Sequence, residues 1–334
     1  MHFGQRLGRR EFVALLGGAA AAARPLAARA QQSALPVIGF LNGESRMEFE
    51  RLVDAFRSGL EAMGYVEGRN VTIDFRWADG QYDRLPILAA DLVQRQVALI
   101  VAADNMAAVA AKKATSTIPI VFATRGGPVS LELLPSLNRP NGNVTGVAFF
   151  QGTLGEKRLG LLRSVVPKAQ VFGVLLDPKA LTYGSERRGA QDAARPLGIK
   201  TLMVTAGSEP EVDAAFATLA RQHVGGLLVS ASGYFSWNRR QQIVGLAARN
   251  AIPAMYTLRD WVMDGGLMSY GAMLSDTYRQ VGVFAGKILK GARPSDLPID
   301  SNTRFEFVIN RKTAKTLGLE IPPKLFALAD EVID

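Results

Sequence analysis

From Pro36 onward, short runs of β-branched and other apolar residues alternate with longer stretches in which apolar positions recur every three or four residues. The first run is Val37-Ile38-Gly39-Phe40-Leu41. Phe49, Leu52, Val53, Phe56 and Leu60 then fall on one helical face, and Gly64 closes that stretch. The same pattern predicts a strand over 70–75, a helix over 85–93, a strand over 98–101, a helix over 106–114 and a strand over 118–122. Strands this continuously apolar are covered on both faces, as in a parallel sheet held between two layers of helices.

Pro140-Asn141-Gly142-Asn143 breaks the rhythm, which restarts after Val144-Thr145-Gly146-Val147. Helices are predicted over 156–166, through Gln191 to an end near Gly198, over 211–222 and over 243–249. The strands between them fall at 171–176, 200–204, 226–229 and 252–256. An apolar run at 266–270, a helix through Lys290 and a strand at 305–309 follow. The predicted fold class is therefore α/β, with two doubly wound parallel-sheet lobes joined by hinge strands. The first lobe is expected to hold residues 36–146 plus about 268–300, and the second 147–267 plus about 301–334. A cleft must lie between them.

The N-terminus reads differently. Arg9-Arg10-Glu11-Phe12, a Gly/Ala-rich apolar core up to Ala23, and Ala28-Arg29-Ala30 have the order of a secretory signal with a small-x-small cleavage site. The arginine pair followed by Phe marks it as Tat-type. The apolar core is shorter than the roughly 20 residues of a membrane-spanning helix. Residues 1–30 are expected to be removed near Ala30, leaving a periplasmic protein. Five of the 39 basic residues and one of the 30 acidic residues go with them, so the formal charge falls from +9 to +5. Much of the apparent basicity is thus targeting, and no nucleic-acid partner is expected.

Cysteine is absent, and the two histidines are His2, within the signal, and His223, near a helix end. That leaves no thiolate chemistry, no His-rich metal site and no expected cofactor. Gly-rich nucleotide loops, a G-x-S-x-G elbow and an H-E-x-x-H helix are all missing, so no catalytic residues are assigned. Asp260 and Asp264 form an i,i+4 carboxylate pair that reads as solvated surface.

In parallel α/β sheets, ligands bind beyond the carboxyl ends of the strands. The first half offers Asn42, Asp104, Asn105, Thr124 and Arg125 there, and Phe150 and Gln151 follow its last strand. The second half offers Asp177, Ser230, Ser232, Tyr234, Tyr256 and Arg259. Each also has a plainer reading. Asp104 suits a helix cap, Asp177 a turn, the two arginines a solvated surface and the two tyrosines a packed core.

Three stretches resemble the ABC-transporter substrate-binding protein family related to tryptophan/tyrosine-type binding proteins, a branch of the type I periplasmic-binding fold. They are Gly64-Tyr65-Val66-Glu67-Gly68-Arg69-Asn70-Val71, the segment Leu137 to Gly146, and Gly265-Gly266-Leu267-Met268-Ser269-Tyr270-Gly271. The tail from Phe305 through Ile321-Pro322-Pro323 is similar too. The resemblance implies a protein that closes on a small organic solute, an amino acid or carboxylic acid. It also implies ABC permease subunits in the inner membrane as partners, and a monomeric protein. An exported ligand-sensing partner of a membrane receptor is the alternative. In one place the sequence departs from the family. Gly126-Gly127-Pro128-Val129 stands where an Asp-Pro-Val is usual, and Arg125 lies just before it. An anionic solute, held by Arg125, is the expectation that follows.

Overall fold

In the computed structural model, which describes residues 35–125, 127–129, 131–134, 142–149, 154–301 and 304–334, the apolar runs of the first half pair as one parallel sheet. Its strands are β1 (Val37–Asn42), β2 (Thr72–Trp77), β3 (Leu99–Ala102), β4 (Ile120–Thr124) and β5 (Val144–Ala148), in the order β2-β1-β3-β4-β5. Alternate side chains feed two cores. Ile38, Phe40 and Val101 pack with Phe49, Leu52 and Phe56 of helix α1 (Arg46–Ala62). Leu41, Ile100 and Phe122 face the other way, onto α2 (Leu85–Gln94) and α3 (Asn105–Ala114). The double cover explains why these strands carry apolar residues at consecutive positions.

The second sheet collects β6 (Val171–Leu176), β7 (Lys200–Thr205), β8 (Gly226–Val229), β9 (Ala254–Tyr256), β10 (Met268–Ala272), β11 (Phe305–Asn310) and β12 (Glu331–Ile333). Their order is β12-β11-β10-β9-β8-β6-β7, parallel throughout except at the β10–β11 pair. Helices α4 (Gly155–Val165) and α5 (Tyr183–Ala194) cover one face. On the other face lie α6 (Glu209–Arg221) and α7 (Arg240–Arg249). The short helix α8 (Arg259–Met263) leads into β10.

Two boundaries move from their predicted places for identifiable reasons. Asn70 accepts from the Val66 N–H and donates to the Gly64 carbonyl, so it belongs to a turn and β2 begins at Thr72. Pro119 has no N–H to give a ladder, and β4 begins at Ile120. The run at 268 pairs with β9 and β11 in the second sheet. The chain then returns to the first lobe as helix α9 (Leu274–Leu289). The C-terminal helices α10 (Arg311–Thr316) and α11 (Pro323–Leu328) precede β12.

Helix α9 is fastened to α1 by the absence of two side chains. A Cβ on Gly59 would fall inside the van der Waals shell of the Arg279 carbonyl oxygen, and one on Gly282 inside that of the Phe56 carbonyl. The backbones can approach this closely only because both positions are glycine. Tyr278 of α9 also donates its hydroxyl proton to the Ala103 carbonyl, at the end of β3. Further on, Asp300 lies beside β5, with its N–H on the Gly146 carbonyl (3.0 Å) and its carbonyl accepting from Ala148 (2.9 Å).

Gly282→Ala should therefore lower stability by about 2 kcal/mol, the scale of an overpacked core. Gly160→Ala in α4, where an added Cβ meets nothing within 4 Å, should be neutral or stabilising by up to about 1 kcal/mol. Urea unfolding of the two variants checks the pair, and equal effects would contradict the packing account.

Candidate functional site

The carboxyl ends of both sheets open onto one cavity of about 230 Å³. The first lobe supplies Glu44 after β1, Tyr82 after β2, Asp104, Asn105 and Met106 after β3, and Arg125 after β4. The second supplies Asp177 and Lys179 to Thr182 after β6, Gly207 after β7, and Ala231 to Tyr234 after β8. Every lining segment follows a strand, as the geometry of parallel sheets requires.

Hydrogen bonds fix most of these groups. Asp104 is the N-cap of α3, its Oδ1 accepting from the Ala107 N–H (2.8 Å). Its Oδ2 accepts from the Gly43 N–H (2.6 Å), tying the β1 loop to the β3 loop. Asn105 Oδ1 accepts from the Arg125 N–H (2.9 Å) and so adds the β4 loop. Across the cavity, Asp177 accepts from the Lys179 N–H (2.9 Å) and from the Ser232 hydroxyl (2.6 Å), joining the β6 and β8 loops. Lys179 Nζ donates to the Gly207 carbonyl (3.0 Å). Behind this wall, Glu186 accepts from the Ala231 N–H (2.7 Å) and the Thr182 hydroxyl (2.8 Å). Tyr234 opens one turn of π-helix, Tyr234–Asn238, and its hydroxyl accepts from Arg239 Nε (2.9 Å).

The electrostatics are dominated by loss of water. Burial, then the nearby Asp104 charge, pushes the Glu44 carboxyl up to about 7, against the opposing pull of its Tyr82 hydrogen bond and of Arg125. Burial likewise raises Asp104 and Glu186, and raises the Tyr82 phenol with help from Glu44. Arg158, behind the second-lobe wall, is lowered to about 10 by burial.

Of the residues expected from sequence, Asp104, Asn105, Arg125, Asp177, Ser232 and Tyr234 line the cavity. Phe150 and Gln151 lie outside the described residues, as do residues 1–34. The others are placed elsewhere. Asn42 and Thr124 are fully buried at strand ends, where Asn42 Oδ1 orients the Glu44 N–H (2.9 Å). Ser230 faces a small cavity of about 30 Å³ with Arg158 and Glu186. Tyr256 stacks on Trp261 at 4.8 Å in the core, because β9 ends beneath α8 rather than at the cleft. Arg259 pairs with Glu331 (2.9 Å), a partner supplied by the unforeseen strand β12. The sequence reading missed Tyr82, Met106, Ala180 to Thr182 and Gly207, and named the β6 loop without choosing Lys179. It named the β1 loop without choosing Glu44. Their signal was present, since each falls in a loop after a strand.

The lobes also meet through residues outside the cavity lining. Phe49 of α1 packs on Trp237 with ring centroids 5.1 Å apart. Arg51 pairs with Asp260 (2.9 Å) and Arg240 with Glu48 (3.5 Å). Arg240 also holds Asp264 (2.6 Å), so both members of the carboxylate pair are used in ion pairs.

Two α/β lobes with a polar-walled cavity at their strand ends have the fold of the type I periplasmic-binding proteins. Residues 34–333 match the family model of the ABC transporter substrate binding proteins, and the chain belongs to that family. A tyrosine-binding protein of Clostridioides difficile (strain R20291) is 27% identical over 271 residues, 79% of this chain and 76% of that protein. The crystal structure of an ABC domain in complex with L-Trp from Streptococcus pneumonia has a TM-score of 0.83. It is 24% identical and covers 90% of this chain and 100% of that one. A leucine binding protein from Thermotoga maritima shares the fold at a TM-score of 0.55, with 13% identity over 79% of this chain and 78% of that one. Among the described residues, no helix is long and apolar enough to cross a membrane.

A carboxyl raised by burial makes the folded state hold a proton that the unfolded chain has already lost. Below pH about 4.5 both states are protonated, and above about 7 both are ionised. Between those values the stability contributed by Glu44 falls as pH rises, by up to about 3 kcal/mol. Glu44→Gln should therefore unfold at higher urea than the wild type at pH 8, with the gap closing at pH 5. A gap independent of pH would contradict the buried-carboxylate account.

Proposed function

We propose that this protein is the periplasmic solute-binding component of an ABC importer. It closes on a small organic solute, an amino acid or carboxylic acid, and delivers it to permease subunits in the inner membrane. The observation that carries the reading is the cavity, walled by the strand-end loops of both lobes and containing Arg125 and Lys179 opposite buried carboxylates. A solute held there touches both lobes, so binding favours the closed arrangement by its extra contacts. The family supports a transport role. The names of the tyrosine-binding relative and of the L-Trp complex support an amino acid.

Export is read from residues 1–30, where the twin arginine, short apolar core and Ala28-Arg29-Ala30 mark a cleaved Tat signal. Arg125 is the group suited to a carboxylate. Its backbone is fixed by Asn105, and its guanidinium is positioned in a partly dry site, where a bidentate pair gains most. No catalytic step belongs to this reading.

Native mass spectrometry of the purified protein should reveal a bound solute of a few hundred daltons or less. Titrated by calorimetry, that solute should bind Arg125→Ala more weakly by about 1.5–3 kcal/mol, the scale of a charge-assisted hydrogen bond. A change below about threefold would remove Arg125 from the site. Failure to carry or bind any amino acid or carboxylic acid would overturn the function.

A further inference from the structure

A carboxylate on the solute needs one partner, and the first-lobe wall also presents a group of opposite kind. Glu44 is 2% exposed and lines the cavity. Its Oε1 accepts from the Tyr82 hydroxyl (2.8 Å), while its Oε2 has no hydrogen-bond partner among the described residues. The other acids of the cavity are already engaged. Asp104 is held by the Gly43 and Ala107 N–H groups, and Asp177 by the Lys179 N–H and the Ser232 hydroxyl. Glu44 Oε2 is thus the carboxylate oxygen left for a ligand.

Gly233 of the second lobe bounds the distance between the other carboxylate oxygen, Glu44 Oε1, and Arg125. A Cβ placed there would stand 2.9 Å from Glu44 Oε1, 3.2 Å from Arg125 Nη1 and 3.3 Å from the Tyr82 hydroxyl. The two charged atoms are no farther apart than the sum of the first two distances. Yet they form no ion pair within the described residues, and the main-chain N–H is what Arg125 bonds to its neighbours. An α-amino acid carries a carboxylate and an ammonium group on one carbon, and Arg125 and Glu44, neighbours in the cavity wall, offer one partner to each. A simple carboxylic acid would satisfy Arg125 and leave Glu44 Oε2 without a partner, as it is among the described residues.

We propose that Glu44 is the subsite for the solute's ammonium group, so that the protein selects an α-amino acid over the same molecule without its amine. This rests on the solute-binding function proposed above. It also answers the missing acid after β4, because the negative group comes from the end of β1 instead. The groups facing Glu44 are the Tyr82 hydroxyl, Asp104, Arg125 and Glu48 of α1. An ammonium beside Glu44 favours its ionised form, so binding releases a proton in the range where that carboxyl titrates. Affinity therefore rises with pH through about 7.

The test screens the twenty L-α-amino acids by thermal shift, then titrates the best binder and its deaminated analogue by calorimetry at pH 6 and pH 8. The wild type should prefer the amino acid by about tenfold or more, and should bind it about tenfold more weakly at pH 6 than at pH 8. Glu44→Gln should lose that preference and that pH dependence while binding the deaminated analogue within threefold of wild type. Its melting temperature, at or above the wild-type value, shows that it folds. Equal affinity for the two molecules, or an amino-acid affinity unchanged in Glu44→Gln, overturns the Glu44 subsite. If carboxylic acids bind through Arg125 and no amino acid does, the subsite falls and the binding function stands. If neither class binds, both fall.

Discussion

Charge removed from water is the constraint around which this structure is arranged. Parallel strands deliver their loops to one edge, and here two such edges face each other across a cavity that holds Glu44, Asp104, Asp177, Arg125 and Lys179. Most of these groups are neutralised by local bonds that also tie the loops together. Asp104 and Asn105 together link three loops of the first lobe, and Asp177 links two of the second. Glu44 and Arg125 are the exceptions, held close together without pairing. A site of this kind sacrifices stability in the empty protein and recovers it when a ligand of matching charge arrives.

Closure depends on modest forces elsewhere. The interlobe ion pairs Arg51–Asp260 and Arg240–Glu48 are partly exposed, with Arg51 at 48% and Glu48 at 30% of its side-chain surface. Such pairs are each worth roughly 0–1 kcal/mol. Phe49 on Trp237 adds apolar burial across the same line. None of these fixes the lobes together as α9 is fixed to α1 by the Gly59–Gly282 approach. Where the contacts between lobes are of this modest scale, a ligand's own contacts decide the population of the closed form.

Much of this was legible in the sequence, and the reason is physical. Strands buried on both faces must be continuously apolar, so β1, β3, β4, β6 and β8 are visible in the pattern and their following loops locate the cavity. What the pattern could not supply was the third dimension of each loop. Tyr256 ends a strand and Arg259 follows it, much as Thr124 and Arg125 do at β4. However, β9 ends under α8, and Arg259 is taken by Glu331 of a strand only three residues long. Glu44 was hidden for a different reason. Its importance comes from desolvation and from the neighbouring Asp104 and Tyr82, which are distant in sequence and meet only through the sheet order β2-β1-β3.

The central claim is that the two lobes close on a solute held between their strand ends. Small-angle X-ray scattering of the solute-stripped protein, before and after saturation with the amino acid it binds most tightly, tests it most directly. The account predicts a smaller radius of gyration in the bound state than in the stripped protein. A solute that binds stoichiometrically at this cavity and leaves the scattering curve unchanged would contradict it.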